Sequence, residues 1–181
     1  VTSDDTILVH AAAGGVGSIL TQWAKALGAT VIGSVGSSKK IETARRNGCD
    51  EVLLYRDIDL PAEVSRITSG RGVDVVYDSV GKDTFDMSLR SLKCRGMLVS
   101  FGNASGPVPD FSPLLLTQMG SLYLTRPSLF DYLVDSEEQQ FLADSLFERV
   151  IANDISIQIN HEFPLADAAL AQQTLESGQT T

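Results

Sequence analysis

The residues best placed to do chemistry are Ala11-Ala12-Ala13-Gly14-Gly15-Val16-Gly17, which join a strand-like run to an amphipathic one. Set against the spacing G-x-G-x-x-G, the matching positions are Ala12, Gly14 and Gly17, with alanine in the first place. The spacing has a physical use. A glycine at Gly14 lets backbone approach a pyrophosphate, and one at Gly17 lets a helix pack close to the strand before it. The N–H groups and dipole of the helix start then hold the anion. The plain alternative is a tight turn with no ligand. The turn follows the first strand and opens a helix at the head of an alternating pattern, which is the context the dinucleotide fingerprint requires.

Which dinucleotide it takes depends on the end of the second strand. An acid there, about 20 residues past the glycines, binds a ribose 2′-hydroxyl. This sequence offers Gly33-Ser34-Val35-Gly36-Ser37-Ser38-Lys39-Lys40, with no acid before Glu42. A carboxylate repels a 2′-phosphate, whereas small hydroxyls and a lysine receive one. The expectation is therefore NADP rather than NAD. The alternative makes Ser37 a helix cap and both lysines solvated.

Other chemistries find less support. His10 closes an apolar strand, where a structural role is expected ahead of a catalytic one; His161 is far along the chain. No G-x-S-x-G elbow occurs, and Ser18 and Ile19 stand where a P-loop would carry its lysine. No lysine lies four residues after Tyr55, Tyr77, Tyr123 or Tyr132. Asp74, Asp78 and Asp83 are spaced too widely for a hard-cation loop and are expected on a solvated one. Cys49 and Cys94 have no second pair nearby, so no structural zinc site is expected, and reduced thiols point to the cytoplasm.

The elements that must hold these residues alternate from strand to helix almost to the end, the pattern of a parallel α/β sheet. Strands are expected at residues 6–10, 30–35, 51–54, 73–77, 96–101 and 121–125. The first helix carries Val16, Ile19, Leu20, Trp23, Ala24 and Leu27 at helical spacing and ends at Gly28. Ser37 or Ser38 caps a second helix, stopped by Gly48. Pro61 opens a third, which runs to Ile67, and Asp83 or Thr84 starts a fourth. Residues 106–113 read as a loop. Ser136 with Gln139 is a capping-box signature for a helix to about Asn153, residues 155–159 alternate apolar with polar, and a last helix spans about 167–175. The whole describes an α/β, doubly wound Rossmann fold with a mostly parallel sheet of about six strands and helices on both faces.

Composition sets the remaining bounds. The chain has 181 residues, 14 Lys plus Arg against 23 Asp plus Glu, and a net charge of −9. Such a surface repels phosphate backbones, so nucleic acid is not an expected partner. Apolar runs as short as Leu114-Leu115-Leu116 do not span a membrane. The start at Val1 and the polar tail Gln179-Thr180-Thr181 read as a piece of something longer, a single domain over residues 1–181.

Together the glycine turn, the run 22–29 (QWAKALGA), Val76-Tyr77-Asp78-Ser79-Val80-Gly81, Ser100-Phe101-Gly102-Asn103 and Leu124-Thr125-Arg126-Pro127-Ser128-Leu129 form a recognisable set. The sequence resembles the quinone oxidoreductase (zeta-crystallin-like) branch of the zinc-free medium-chain dehydrogenases/reductases, over nearly its whole length. That resemblance implies NADPH binding by Ala13, Gly14, Gly15 and Val16, with Gly36, Ser37 and Lys40 at the 2′-phosphate and Tyr55 beside the adenosine. It places Ser79 next to the cofactor and Phe101, Gly102 and Asn103 towards its nicotinamide half. It also places Arg126 near the active-site cleft. Each has a plain reading: Tyr55 closing a strand, Phe101 in the core, Arg126 an ordinary strand end. The family's GroES-like catalytic domain has no counterpart in the sequence, nor has its C-terminal basic residue, so no catalytic residue and no metal ligand is assigned. The resemblance also implies a cytoplasmic enzyme that passes hydride to a quinone, paired as a homodimer through the sheet edge near residues 121–125. An alkenal or enoyl reductase shares the same cofactor domain. A nucleotide-sensing or RNA-binding module is the alternative of another class.

Overall fold

A computed structural model describes residues 1–177; the polar tail at 179–181 lies outside them. Strand β1 (Thr6–His10) is buried along its entire length, as a run of Ile, Leu and Val covered on both faces requires. Around it stand β2 (Thr30–Val35), β3 (Glu51–Leu54), β4 (Val73–Asp78), β5 (Leu92–Ser100) and β6 (Tyr123–Thr125). Among the described residues they form one sheet in the order β3-β2-β1-β4-β5-β6, and every pairing is parallel. Parallel neighbours need crossovers, supplied here by helices α1 (Gly15–Ala26), α2 (Ile41–Arg46), α3 (Leu60–Ile67), α4 (Phe85–Ser91) and α5 (Leu114–Gln118). Helices α6 (Ser136–Ile151) and α7 (Ala168–Glu176) follow the sheet.

Alternation along the strands divides the core. Leu8 and Ile32 join Leu60, Val64, Leu89 and Leu98 on one face. Ile7, Val9, Val31 and Val35 join Ala24 and Ala44 on the other. Helix α1 buries Gly17, Thr21 and Ala24, a narrower stripe than its periodic apolar residues suggest. Val16 is 60% exposed, and Leu20, Trp23 and Leu27 border a cavity of about 340 Å³ with Val1 and Tyr77.

Several boundaries differ from the sequence expectations. β5 begins at Leu92, not at 96, because Leu92 pairs with Val73 before a register shift, and Arg95 takes a φ of 60° to continue the strand. β6 is shorter than expected, and the short helix α5 was not anticipated in the apolar run it occupies. The cap of α6 is Asp135, whose carboxylate accepts from Glu138 N at 2.8 Å, so the acid one residue earlier displaces Ser136 from that role. Residues 155–159 form no strand; Ile155 is buried and Ser156 exchanges two hydrogen bonds with Gln22 of α1, at 2.8 and 3.1 Å. Asp74 corrects the solvated-loop reading. It is buried in β4, accepts from Thr6 N and pairs with Lys93 and Arg71. Burial alone raises its pKa, but the Lys93 and Thr6 hydrogen bonds and both cations outweigh that and hold it below the usual carboxylate range.

Candidate functional site

The strand order reverses between β1 and β4, and ligands in open α/β sheets bind at the carboxyl ends beside such a switch point. Every residue expected in the site stands at such an end. Ala13, Gly14, Gly15 and Val16 follow β1; Gly36, Ser37 and Lys40 follow β2; Tyr55 follows β3; Ser79 follows β4; Phe101, Gly102 and Asn103 follow β5.

The glycine turn owes its shape to close contacts. Ala11 takes a φ of 52°, and its carbonyl accepts from Gly14 N at 2.8 Å. A Cβ on Gly17 would overlap that same carbonyl oxygen and sit 2.9 Å from its carbon, so only glycine lets α1 lie this close. Gly15 is the opposite case: a Cβ there meets nothing within 4 Å. Gly14 caps α1 without a side-chain hydrogen bond, and no acid occupies the first turn. The first N–H groups of a helix have no intrahelical partner, and here they face open space at the positive end of the dipole. Backbone of this form fits a pyrophosphate.

One cavity borders the turn, a second lies beyond the end of β2, and Lys40 borders both. One, of about 520 Å³, is bordered by Ala13, Gly14, Gly15, Ser18 and Lys40, and closed on the far side by residues 158–161 and Phe163. The second, of about 580 Å³, is bordered by Gly36, Ser37, Lys40, Tyr55 and Arg56, with Ser105 and one carboxylate, Asp83. Of the neighbouring lysines, Lys40 is half-buried against the cleft and Lys39 is exposed outside it. Ser37 does cap the turn that follows, accepting from Lys39 N at 3.4 Å, and still borders the cavity. Tyr55 stands against Gly36, where an added Cβ would lie 3.4 Å from its ring.

The far end of the cleft is held by Asp78, also buried rather than solvated. Its carboxylate accepts from Val80 N at 2.8 Å, Gly81 N at 3.0 Å and Thr84 Oγ1 at 2.8 Å. This fixes the turn containing Ser79. A Cβ on Gly102 would overlap the Ser79 carbonyl oxygen, so the loops after β4 and β5 touch there. Phe101 is half-buried, and Asn103 borders a third cavity of about 280 Å³ with Ser100, Phe85, Phe111 and Arg126. Arg126 donates to the carbonyls of Ser100 at 2.9 Å and Gly102 at 3.4 Å.

His10 is fully buried, with both ring nitrogens hydrogen-bonded, which agrees with a structural role. Cys49 fills the space beside Gly33, and burial pushes its thiol up to about 11, leaving it unreactive near neutrality.

Two participants escaped the sequence reading. Arg56 lies with its guanidinium 5.6 Å from the Tyr55 ring centre and donates to Tyr55 Oη at 3.3 Å. Its signal was a second basic residue at a strand end in an acidic chain. Asp78 followed by Ser79-Val80-Gly81 was a legible Asx turn, since such side chains bond backbone two residues on.

A family model described as zinc-binding dehydrogenase matches residues 15–146. A quinone oxidoreductase of Pseudomonas aeruginosa is 49% identical over 177 residues, covering 98% of this chain and 54% of that protein. A 2-haloacrylate reductase of Burkholderia is 44% identical over 184 residues, covering 99% and 54%. The crystal structure of an Escherichia coli quinone oxidoreductase complexed with NADPH superposes with a TM-score of 0.96 at 45% identity, over 100% of this chain and 56% of that one. The chain therefore spans about half the length of the curated relatives it matches.

Proposed function

The chain belongs to the zinc-binding dehydrogenase family, and on that premise we propose that it is the NADPH-binding part of a quinone oxidoreductase. The observation that carries the reading is the end of β2. It presents Gly36, Ser37 and half-buried Lys40 to a cavity that Arg56 and Tyr55 complete, and no acid stands in the ribose position. Lys40 and Arg56 offer the 2′-phosphate charge-assisted hydrogen bonds, Tyr55 a face for the adenosine, and the first turn of α1 its N–H groups for the pyrophosphate. The hydride comes from C4 of the bound nicotinamide, and the protein supplies orientation and electrostatics. Ser79, Phe101, Gly102 and Asn103 shape the nicotinamide end, where Asp78 and Arg126 hold the backbone. The quinone lies against that end in the whole enzyme.

Zinc has no part in this reading. Among the described residues no three His, Cys, Asp or Glu side chains gather as ligands would, and no step is assigned to the metal.

Equilibrium titration of the chain with NADPH and NADH tests the proposal. NADPH is expected to bind at least about tenfold more tightly, the effect of one or two charge-assisted bonds. Equal affinity, or no binding of either, overturns it.

The haloacrylate-reductase relative favours a second reading, reduction of an activated alkene on the same cofactor cradle. Turnover of a quinone and of an acrylate by the protein that carries this chain separates the two. A cytoplasmic location and a homodimer complete the proposal. In the described residues no helix is long and apolar enough to cross a membrane. β6 lies at the sheet edge with Tyr123 58% exposed, which suits edge pairing with a second copy. Sedimentation equilibrium that returns a monomer at all concentrations removes the dimer.

A further inference from the structure

Beneath the cleft, four buried polar side chains link the carboxyl ends of three neighbouring strands. His10, Ser34, Ser88 and Asp78 are each no more than 1% exposed. Ser34 Oγ lies 2.6 Å from His10 Nδ1, Ser88 Oγ lies 3.0 Å from His10 Nε2, and Ser88 Oγ donates to Asp78 Oδ2 at 2.8 Å. Counting protons fixes the directions. An ionised carboxylate only accepts, so the single Ser88 proton points at Asp78. Ser88 Oγ must then accept from His10, which places the imidazole proton on Nε2. Complete burial disfavours the charged ring, and in the neutral ring Nδ1 keeps its lone pair and accepts from the Ser34 hydroxyl. All three bonds donate one way, from β2 through β1 and α4 to the carboxylate on β4.

Each strand member of this relay stands just ahead of a loop of the cleft. His10 leads into the glycine turn. Ser34 is two residues before Gly36, and its carbonyl accepts from Ala12 N at 3.1 Å. Asp78 leads into Ser79, binds Val80 N and Gly81 N, and its carbonyl accepts from Phe101 N at 2.8 Å. Apolar side chains would fill the same volume without the cost of desolvating four polar groups. What a fully satisfied polar network adds is a single arrangement of its parts.

We infer that His10 is a positioning residue: held as the Nε2–H tautomer, it locks the loops after β1, β2, β4 and β5 into one mutual arrangement, so the phosphate end and the nicotinamide end of the cleft are set together. The inference rests on the cofactor reading above for what the loops hold.

Two measurements on the full chain test it. Long-range proton–nitrogen NMR of the imidazoles, with His161→Gln to leave one ring, is expected to show neutral Nε2–H at pH 7.5. The Nδ1–H form or an imidazolium overturns the inference. Next, Ser88→Ala changes a residue on α4, outside the cleft loops, and frees His10 to move its proton to Nδ1. Affinity for 2′,5′-ADP, a probe of the phosphate end alone, is expected to fall about tenfold, within the usual range of coupling between sites, as the Nδ1–H signal appears. A folded Ser88→Ala that keeps wild-type 2′,5′-ADP affinity overturns the inference and leaves the cofactor reading intact. Failure of the unsubstituted chain to bind 2′,5′-ADP overturns both. Should Ser88→Ala not fold, Ser88→Cys keeps the shape while weakening both bonds, and the same two outcomes decide.

Discussion

Lys40 is the residue on which nucleotide choice turns, because it borders both cavities while Lys39 faces away. On the proposed reading its ammonium meets the 2′-phosphate of NADPH at the end of β2, a group that NADH lacks. Lys40→Ala is expected to weaken NADPH by about ten- to a hundredfold, the worth of a hydrogen bond to a charged group. NADH affinity is expected to stay within about threefold, which is below a single neutral hydrogen bond. Equal losses for both nucleotides in paired titrations would contradict a 2′-phosphate role. Gly17 needs no such contact to matter. Its missing Cβ is what admits the Ala11 carbonyl, so the turn and the helix packing are one feature.

At the scale of elements, α6 behaves unlike the sheet helices. It buries no residue, and its apolar side chains Phe141, Phe147 and Ile151 are 69%, 59% and 79% exposed. Losing its cap through Asp135→Ala is expected to cost the helix about 1 kcal/mol, seen as faster amide exchange across residues 136–151. The melting temperature of the sheet is expected to move by less than about 2 °C, since a helix outside the core contributes little to global unfolding. A shift like that of a core substitution refutes this. The sequence shows the sheet well, because β1, β2 and β4 are covered on both faces and their residues read as apolar runs. It shows β5 poorly, since Lys93, Arg95 and Gly96 look like a turn where the strand continues through a shift in register. The alternation at 155–159 is a strand pattern that pairs with no other strand among the described residues. The glycine turn and the end of β2 were readable because each depends on backbone shape and local charge. Asp74 was not, because its partners Thr6 and Lys93 come from other strands, whereas the partners of Asp78 lie within ten residues of it.

For the molecule as a whole, acid is the weak direction. Burial lowers the pKa of His10, against a smaller opposing pull from Asp78, so the unfolded chain binds that proton more readily than the native one. Stability from this group is full above the ordinary histidine value of about 6.5 and falls as the pH drops below it. Asp74 adds a second loss below its ordinary range of about 3.8, where the unfolded carboxyl protonates first. Urea midpoints are expected to fall between pH 7.5 and 5.5, and to fall less in His10→Gln; a midpoint constant over that interval contradicts it.

Beyond β6 the described chain buries little besides Ile155; Arg126 bonds it to the end of β5, and the paired bonds between Gln22 and Ser156 hold it to α1. The sheet and its cleft thus owe almost nothing to the side chains on the outer face of α6. Substitutions on that face are therefore expected to leave the packing of the sheet and the shape of the cleft as they are, whatever that face itself meets.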